Sequence, residues 1–360
     1  MSHINKIALL ALLALIFTGC SSLGHKTIRT ARFDYNEAIS RTSNEQLLLN
    51  LVRLKFRDMP VFLEIGGIAT QYTFSKNASV GSSISLSGGA DSTSSSIAAG
   101  YVEQPTITYS PLQGDKFAKQ IMSSIPIETL ILLSKSGWSI ERILRCCVQQ
   151  LNDVPNARSA AGPTPKTAPE YKKFLRVAQL IRSLHQDGVI QFGTKPHKGS
   201  RQLIMKLSES RRIAPEVEEL LSLLSLKQER REFRFTFEPF SRKNNEILIT
   251  PRSLLASMFF LSQSVEVPKE DIEAGRVTKT LNTDGTPFNW ADVTSGLLKV
   301  HSSKNSPTNS FVKVKYRNNW YYIDDSDLSS KSTFVLLGYL FSLQAGDIRS
   351  LEPTLTLDLG

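Results

Sequence analysis

Residues Ala78–Pro111, ASVGSSISLSGGADSTSSSIAAGYVEQPTITYSP, combine the composition of a linker with the periodicity of a strand. Ser and Gly dominate, yet apolar residues recur at every second position. Val80, Ile84, Leu86 and Gly88 fall on one face of a strand starting at Ser79, with Ser82 among them; Ser79, Gly81, Ser83, Ser85 and Ser87 fall on the other. After Gly89-Ala90-Asp91 and a run of Ser, Ile97, Ala99 and Tyr101 share one face, and Ser96, Ala98 and Gly100 the opposite one. Period-two alternation specifies extended chain whose two sides meet different surroundings. One apolar side and one small, neutral, polar side is what a membrane β-strand needs, with lipid outside and water inside. Such a strand crosses a bilayer in about 9–11 residues. A single hairpin cannot close a barrel, because its edges would leave N–H and C=O groups unpaired in lipid. Several subunits would each have to donate one. The alternative is a flexible, Ser-rich hairpin extending from a soluble sheet. Val80, Ile84, Leu86, Ile97 and Tyr101 are the candidate membrane-facing residues, and Tyr72, Phe74, Tyr101 and Tyr109 the only aromatic residues for a girdle.

The N-terminus sets the compartment. A short polar start, Met1 to Lys6, precedes the unbroken apolar run IALLALLALIF from Ile7 to Phe17. That run is shorter than the roughly 20 residues of a spanning helix and fits the core of a signal peptide. Phe17-Thr18-Gly19-Cys20 follows at once. Small residues before a Cys at the end of such a run resemble the bacterial lipoprotein signal, although Phe17 replaces the usual Leu. The resemblance implies a signal peptide over 1–19, cleavage before Cys20 and lipidation of Cys20. Several acyl chains anchor a protein stably where one does not. Ser21 and Ser22 after the Cys, with no Asp, favour the outer membrane, with the chain facing the periplasm.

Outside the cytoplasm, the formal charge of +10 suits either plain solubility or anionic neighbours such as lipid headgroups, lipopolysaccharide phosphates and cell-wall polymers, rather than nucleic acid. Cys146 and Cys147, adjacent in RILRCCVQQL, read as helical and buried; neighbouring helical Cys diverge by about 100° and do not readily close a disulfide.

Along the rest of the chain the patterns predict an α+β protein without internal repeats. Residues 20–42 read as the acylated Cys and a polar tether. Residues 43–111 read as a helix, opened by a Ser43–Gln46 capping box, plus the hairpin region, with Gly66-Gly67 as a bulge or kink. Residues 112–231 read as helical with a small β wing. In that stretch Pro126 starts a helix and Ser139 another, Asn152–Pro169 is an exposed connection, and a Thr167–Glu170 capping box opens a helix ending at Gly188. A helix is expected over Pro215–Arg231. Residues 232–360 read as an α+β domain. Phe233, Phe235 and Phe237 alternate beside a strand at Ile247–Ile249, and a hairpin turns at Arg317-Asn318-Asn319. A helix spans Asp327–Gln344 and a strand Thr354–Leu357 closes the chain.

The blocks RFDYNEAISRTSNEQLLLNLVRLKFRDMPVFLE, QPTITYSPLQGDKF and NWYYIDDSDLSSKSTF are similar to blocks shared by a family of bacterial lipoproteins with no assigned activity. The similarity covers most of the mature chain. It supports the lipid anchor and supplies no site.

Catalytic motifs are thin. H-E-x-x-H, C-x-x-C, G-x-S-x-G and Gly-rich phosphate loops are absent from the sequence, and His25, His185, His197 and His301 have no evident partners. Asp324, Asp325 and Asp327 begin like a calcium loop but lack its Gly and its closing Glu. Capping of the following helix explains them better. Trp320, Tyr321 and Tyr322 are a core strand or a sugar-stacking surface. No cofactor or metal is indicated. The main reading is a non-enzymatic, lipid-anchored envelope protein that acts as a scaffold or assembly component through protein or cell-wall contacts. A homo-oligomeric outer-membrane pore subunit contributing the 79–101 hairpin is the second reading. A periplasmic hydrolase or sugar-binding module is the third.

Overall fold

A computed structural model describes residues 23–83, 92–197, 200–208, 215–237 and 245–345. Cys20, Ile84, Leu86 and the strand expected at Thr354–Leu357 lie outside the described residues. The fold is α+β. The chain forms two compact units, one of Met1–Pro60 with Gly114–Arg349, the other of Val61–Gln113 with Ser350–Gly360.

The first unit opens with α1, Leu23–Lys55. The segment 23–42, expected as a tether, is helical, and the Ser43 cap is not a cap. Between Leu23 and Lys55 there is no Pro, and Gly occurs only at position 24. The Thr42 hydroxyl donates back to the carbonyls of Ala38 and Ile39, at 2.8 and 3.1 Å, as a Thr inside a helix does. Leu47, Leu48, Leu51, Val52 and Leu54 are buried in the last turns of α1. They pack against α7 (Leu254–Ser262) and β10 (Ser310–Tyr316).

The chain then builds a six-stranded sheet. Its strands are β3 (Val148–Leu151), β4 (Val154–Pro155), β5 (Ile190–His197), β6 (Ser200–Leu207), β7 (Glu232–Thr236) and β8 (Glu246–Pro251), in the order β4-β3-β8-β7-β6-β5. The β7–β8 pair is parallel and the others antiparallel. The strands expected as a free wing, β5 and β6, are therefore part of the main sheet. The helix α5, Lys172–Gln186, buries Phe174, Val177, Ala178, Ile181 and Leu184 at helical spacing. It lies against α4 (Ile140–Cys147) and α6 (Pro215–Leu223). The helix α3 (Ile127–Lys135, after Pro126) packs against α4, and α2 (Asp115–Met122) packs against α7.

Four local expectations do not hold. The helix through RILRCCVQQL stops at Cys147, where β3 begins. Arg252 explains the stop. Fully buried, it donates to the carbonyls of Arg145 (2.9 Å), Cys146 (3.2 Å) and Asn156, taking up the orphan carbonyls of the helix end, and its guanidinium lies 4.0 Å over the Phe260 ring. The stretch Asn152–Pro169 is not an exposed connection. Asn152, Val154, Asn156, Ala157, Ala160 and Thr164 are buried. Asn152 accepts from Leu248 N and donates to Leu224 O, while Asn156 donates to Arg145 O and Val148 O. Thr167 does not cap α5; it bridges to Leu281, and Tyr171 takes the cap position. The helix expected over Pro215–Arg231 ends at Leu223.

The C-terminal part carries α8 (Lys269–Glu273), α9 (Ala291–Thr294), β9 (His301–Ser303), β10, β11 (Asn319–Asp324) and α10 (Leu328–Ala345). Arg317 and Asn318 have φ of 46° and 62°, the left-handed pair that closes a tight two-residue hairpin between β10 and β11.

The second unit is built on one ribbon. Strand β1, Leu63–Ser83, pairs antiparallel with β2, Ser92–Pro111, from Leu63↔Pro111 to Ser83↔Ser92.

Candidate functional site

The ribbon is the most unusual element. Its strands hold 21 and 20 residues, so at about 3.3 Å per residue each runs some 65–70 Å, over twice the ~30 Å of a bilayer core. Among the described residues each strand pairs only with the other, and no third strand joins either edge. The register joins the two alternations read from the sequence. Even positions of β1 from Ile68 to Ser82 lie opposite odd positions of β2 from Ile107 to Thr93, and opposed residues share a face. That face holds Ile68, Tyr72, Phe74, Val80, Ile97, Tyr101 and Ile107. The other holds Ser75, Asn77, Ser79, Gly81, Ser94, Ser96 and Gly100 and carries no charged residue from 67 to 83 or from 92 to 108.

A bulge at Gly66 preserves this sorting. The register shifts between Ile65 and Gly67. Without the extra residue a period-two strand would turn Leu63 and Ile65 to the polar side. With it they lie opposite Pro111 and Tyr109, in phase with the apolar face of β2. At this end of the ribbon Leu63, Ile107 and Tyr109 are 45 %, 39 % and 56 % exposed. Phe74 lies directly opposite Tyr101, with Tyr72 on the same face. From there to the last described pair, Phe74–Ser83 and Ser92–Tyr101 are ten residues each, one bilayer crossing.

A second site lies in the first unit, and no motif announces it. Lys55, the last residue of α1, is buried, with its Nζ donating to Gln263 Oε1 at 2.9 Å and lying 5.9 Å from the centre of the Trp290 ring. Gln263 Oε1 also accepts from Thr164 Oγ1 at 3.1 Å, and Gln263 Nε2 donates to Phe259 O. Among the described residues no carboxylate reaches the ammonium, and burial lowers its pKa from 10.5 to about 8. Lys55, Gln263 and Trp290 line a cavity of about 990 Å³ with Phe288, Glu266 and Asp327. The sequence carried one signal. Leu48, Leu51, Val52 and Lys55 share one helical face, so a lysine occupies an apolar register.

The other residues singled out from sequence take structural places. Asp327 caps α10 through Ser330 N (3.0 Å), Asp324 accepts from Ser326 N (2.8 Å), and Asp325 pairs with Lys331 (2.6 Å). Tyr321 is buried, while Trp320 and Tyr322 are half-buried beside Lys313 and His301. His301 does have a partner: its Nδ1 lies 3.3 Å from Glu266 Oε1. His185 Nδ1 bonds Ile190 O. Cys146 and Cys147 are buried and free, and burial pushes the Cys146 thiol up to about 11 and that of Cys147 well above its ordinary value.

What these features define is a chain with a long, two-faced, two-stranded β-ribbon attached to an α+β unit. Comparison with protein-family models, curated proteins and solved structures returns no match.

Proposed function

We propose that this chain is a lipid-anchored protein of the bacterial outer membrane that donates its β1–β2 hairpin to a barrel shared among several copies. The observation that carries the reading is the register of the ribbon. It assembles one apolar and one uncharged small-residue face over strands of 21 and 20 residues, and among the described residues no third strand joins either edge. An isolated two-stranded ribbon is marginal in water. An apolar face must be covered and open edges must be paired, and a ring of identical hairpins in lipid does both. The aromatic positions 72, 74 and 101 form an interfacial belt one crossing below the tip. Lys76, on the apolar face, is one same-face position inside the belt, within snorkelling reach of the interface. Glu103, also on that face, lies opposite Tyr72, on the far side of the belt from the tip. The lumen face is neutral, so the pore discriminates weakly between cations and anions. Cys20 supplies the acyl anchor, as its lipoprotein-like signal implies.

The test is the mass and image of the full chain purified in detergent, followed by bilayer conductance. A ring with weakly selective conductance is expected. A monomer without conductance overturns the reading in favour of an anchored scaffold.

A further inference from the structure

The cavity beside Lys55 holds a buried cation with no anion against it among the described residues. Its own carboxylates are engaged elsewhere. Glu266 accepts from Ser302 N at 3.2 Å and lies beside His301 and Lys299, and both oxygens of Asp327 are taken by Ser330. Lys55 is 6 % exposed and, among the described residues, meets only a neutral amide oxygen and the face of an indole. Its three N–H donors therefore outnumber its partners, and a buried charge without a counter-charge is costly. The amide oxygen is itself fixed in place by Thr164, so the ammonium is held rather than free to swing to solvent. Next to it, Phe288 and Trp290 meet edge to face at 5.1 Å, and Trp290 Nε1 donates to Thr280 Oγ1 at 3.1 Å, which sets the indole plane. A cavity of about 990 Å³, with an aromatic wall and one convergent charge, has the size and make-up of a small-molecule site.

We infer that this cavity binds a small organic anion, a carboxylate carried on an apolar or aromatic body, with the carboxylate on Lys55 Nζ and the body against Trp290 and Phe288. The charged head supplies the missing counter-ion. The planar wall selects the body, and the Gln263–Thr164 pair positions the ammonium.

Benzoate is the probe, with benzamide as its neutral control, titrated calorimetrically into the full chain in detergent. Benzoate should bind, and benzamide about tenfold or more weaker, since a hydrogen bond between two charged groups is worth about 1.5–3 kcal/mol. The variant Lys55→Met should lose the preference for benzoate. No heat with benzoate overturns the inference, as does equal binding of benzoate and benzamide to the wild type, a comparison that needs no variant. Benzoate binding to Lys55→Met as tight as to the wild type overturns it too.

Discussion

Single side chains in this protein show how burial, rather than residue type, sets chemistry. Lys55 is ordinary in the unfolded chain and strained in the folded one. Burial lowers its pKa from 10.5 to about 8. Below pH 8 both states carry the proton and the folded state bears the full desolvation cost, about 3 kcal/mol at 1.36 kcal/mol per unit. Between pH 8 and 10.5 the unfolded chain binds more protons, so the contribution of this group to stability rises with pH and the cost is gone above 10.5. Lys55→Met should therefore raise stability by up to about 3 kcal/mol at pH 7 and by little at pH 10.5, read from urea unfolding at both values. The cysteines follow the same logic with opposite sign. The thiol, not the thiolate, is favoured at Cys146 and Cys147, and neither is accessible. A thiol-reactive reagent should label them only after denaturation. Rapid labelling of the native protein would instead establish a redox role.

At the level of elements, the ribbon is where a substitution separates the proposals. Adjacent positions lie on opposite faces, so in the proposed barrel Val80 and Ser79 would face lipid and lumen at almost the same depth. Charge on the lipid side costs about 2–4 kcal/mol near the bilayer midplane, and every subunit of a ring incurs it. Val80→Lys should block membrane-inserted oligomers, while Ser79→Lys should permit assembly and shift conductance toward anions. Equal behaviour of the two variants would remove the case for a barrel. The turn from α4 into β3 is a second element-level device. Asn156 donates to Arg145 O and Val148 O, at 2.9 and 2.7 Å, and its own carbonyl accepts from Arg252. Asn156→Ala removes the side-chain donor of Val148 O, while Arg145 O keeps Arg252, and should cost about 1–3 kcal/mol, seen as a lower urea midpoint with an unchanged slope.

At the scale of the whole molecule, the proposal joins an anchor, an α+β unit and a ribbon that is incomplete alone. The acyl chains at Cys20 would hold each copy at the membrane and raise its local concentration, which favours ring closure over dispersal. Cys20→Ala should abolish acyl labelling and release from membranes, in fractionation, the copies not assembled into a ring, because the thiol that bears the acyl chains is gone. Persistent labelling of that variant would place the lipid elsewhere.

Period-two alternation determined the hairpin and its two faces, because side chains in a strand alternate by backbone geometry alone. Helical spacing determined α5, and the turn residues Arg317 and Asn318 determined the β10–β11 hairpin, for the same reason: both signals act within a few residues. The Gly66-Gly67 pair already marked in the sequence the bulge that keeps Leu63 and Ile65 in phase. Tertiary structure alone decided the register that merges the two apolar faces. It alone decided that α4 stops at Cys147, since the carbonyls there are taken by Arg252, more than a hundred residues on. It alone made Lys55 a site. The lysine's hydrogen-bond partner is 208 residues away, and the shift in its pKa comes from the closing of the core around it, a property that no local stretch of chain possesses.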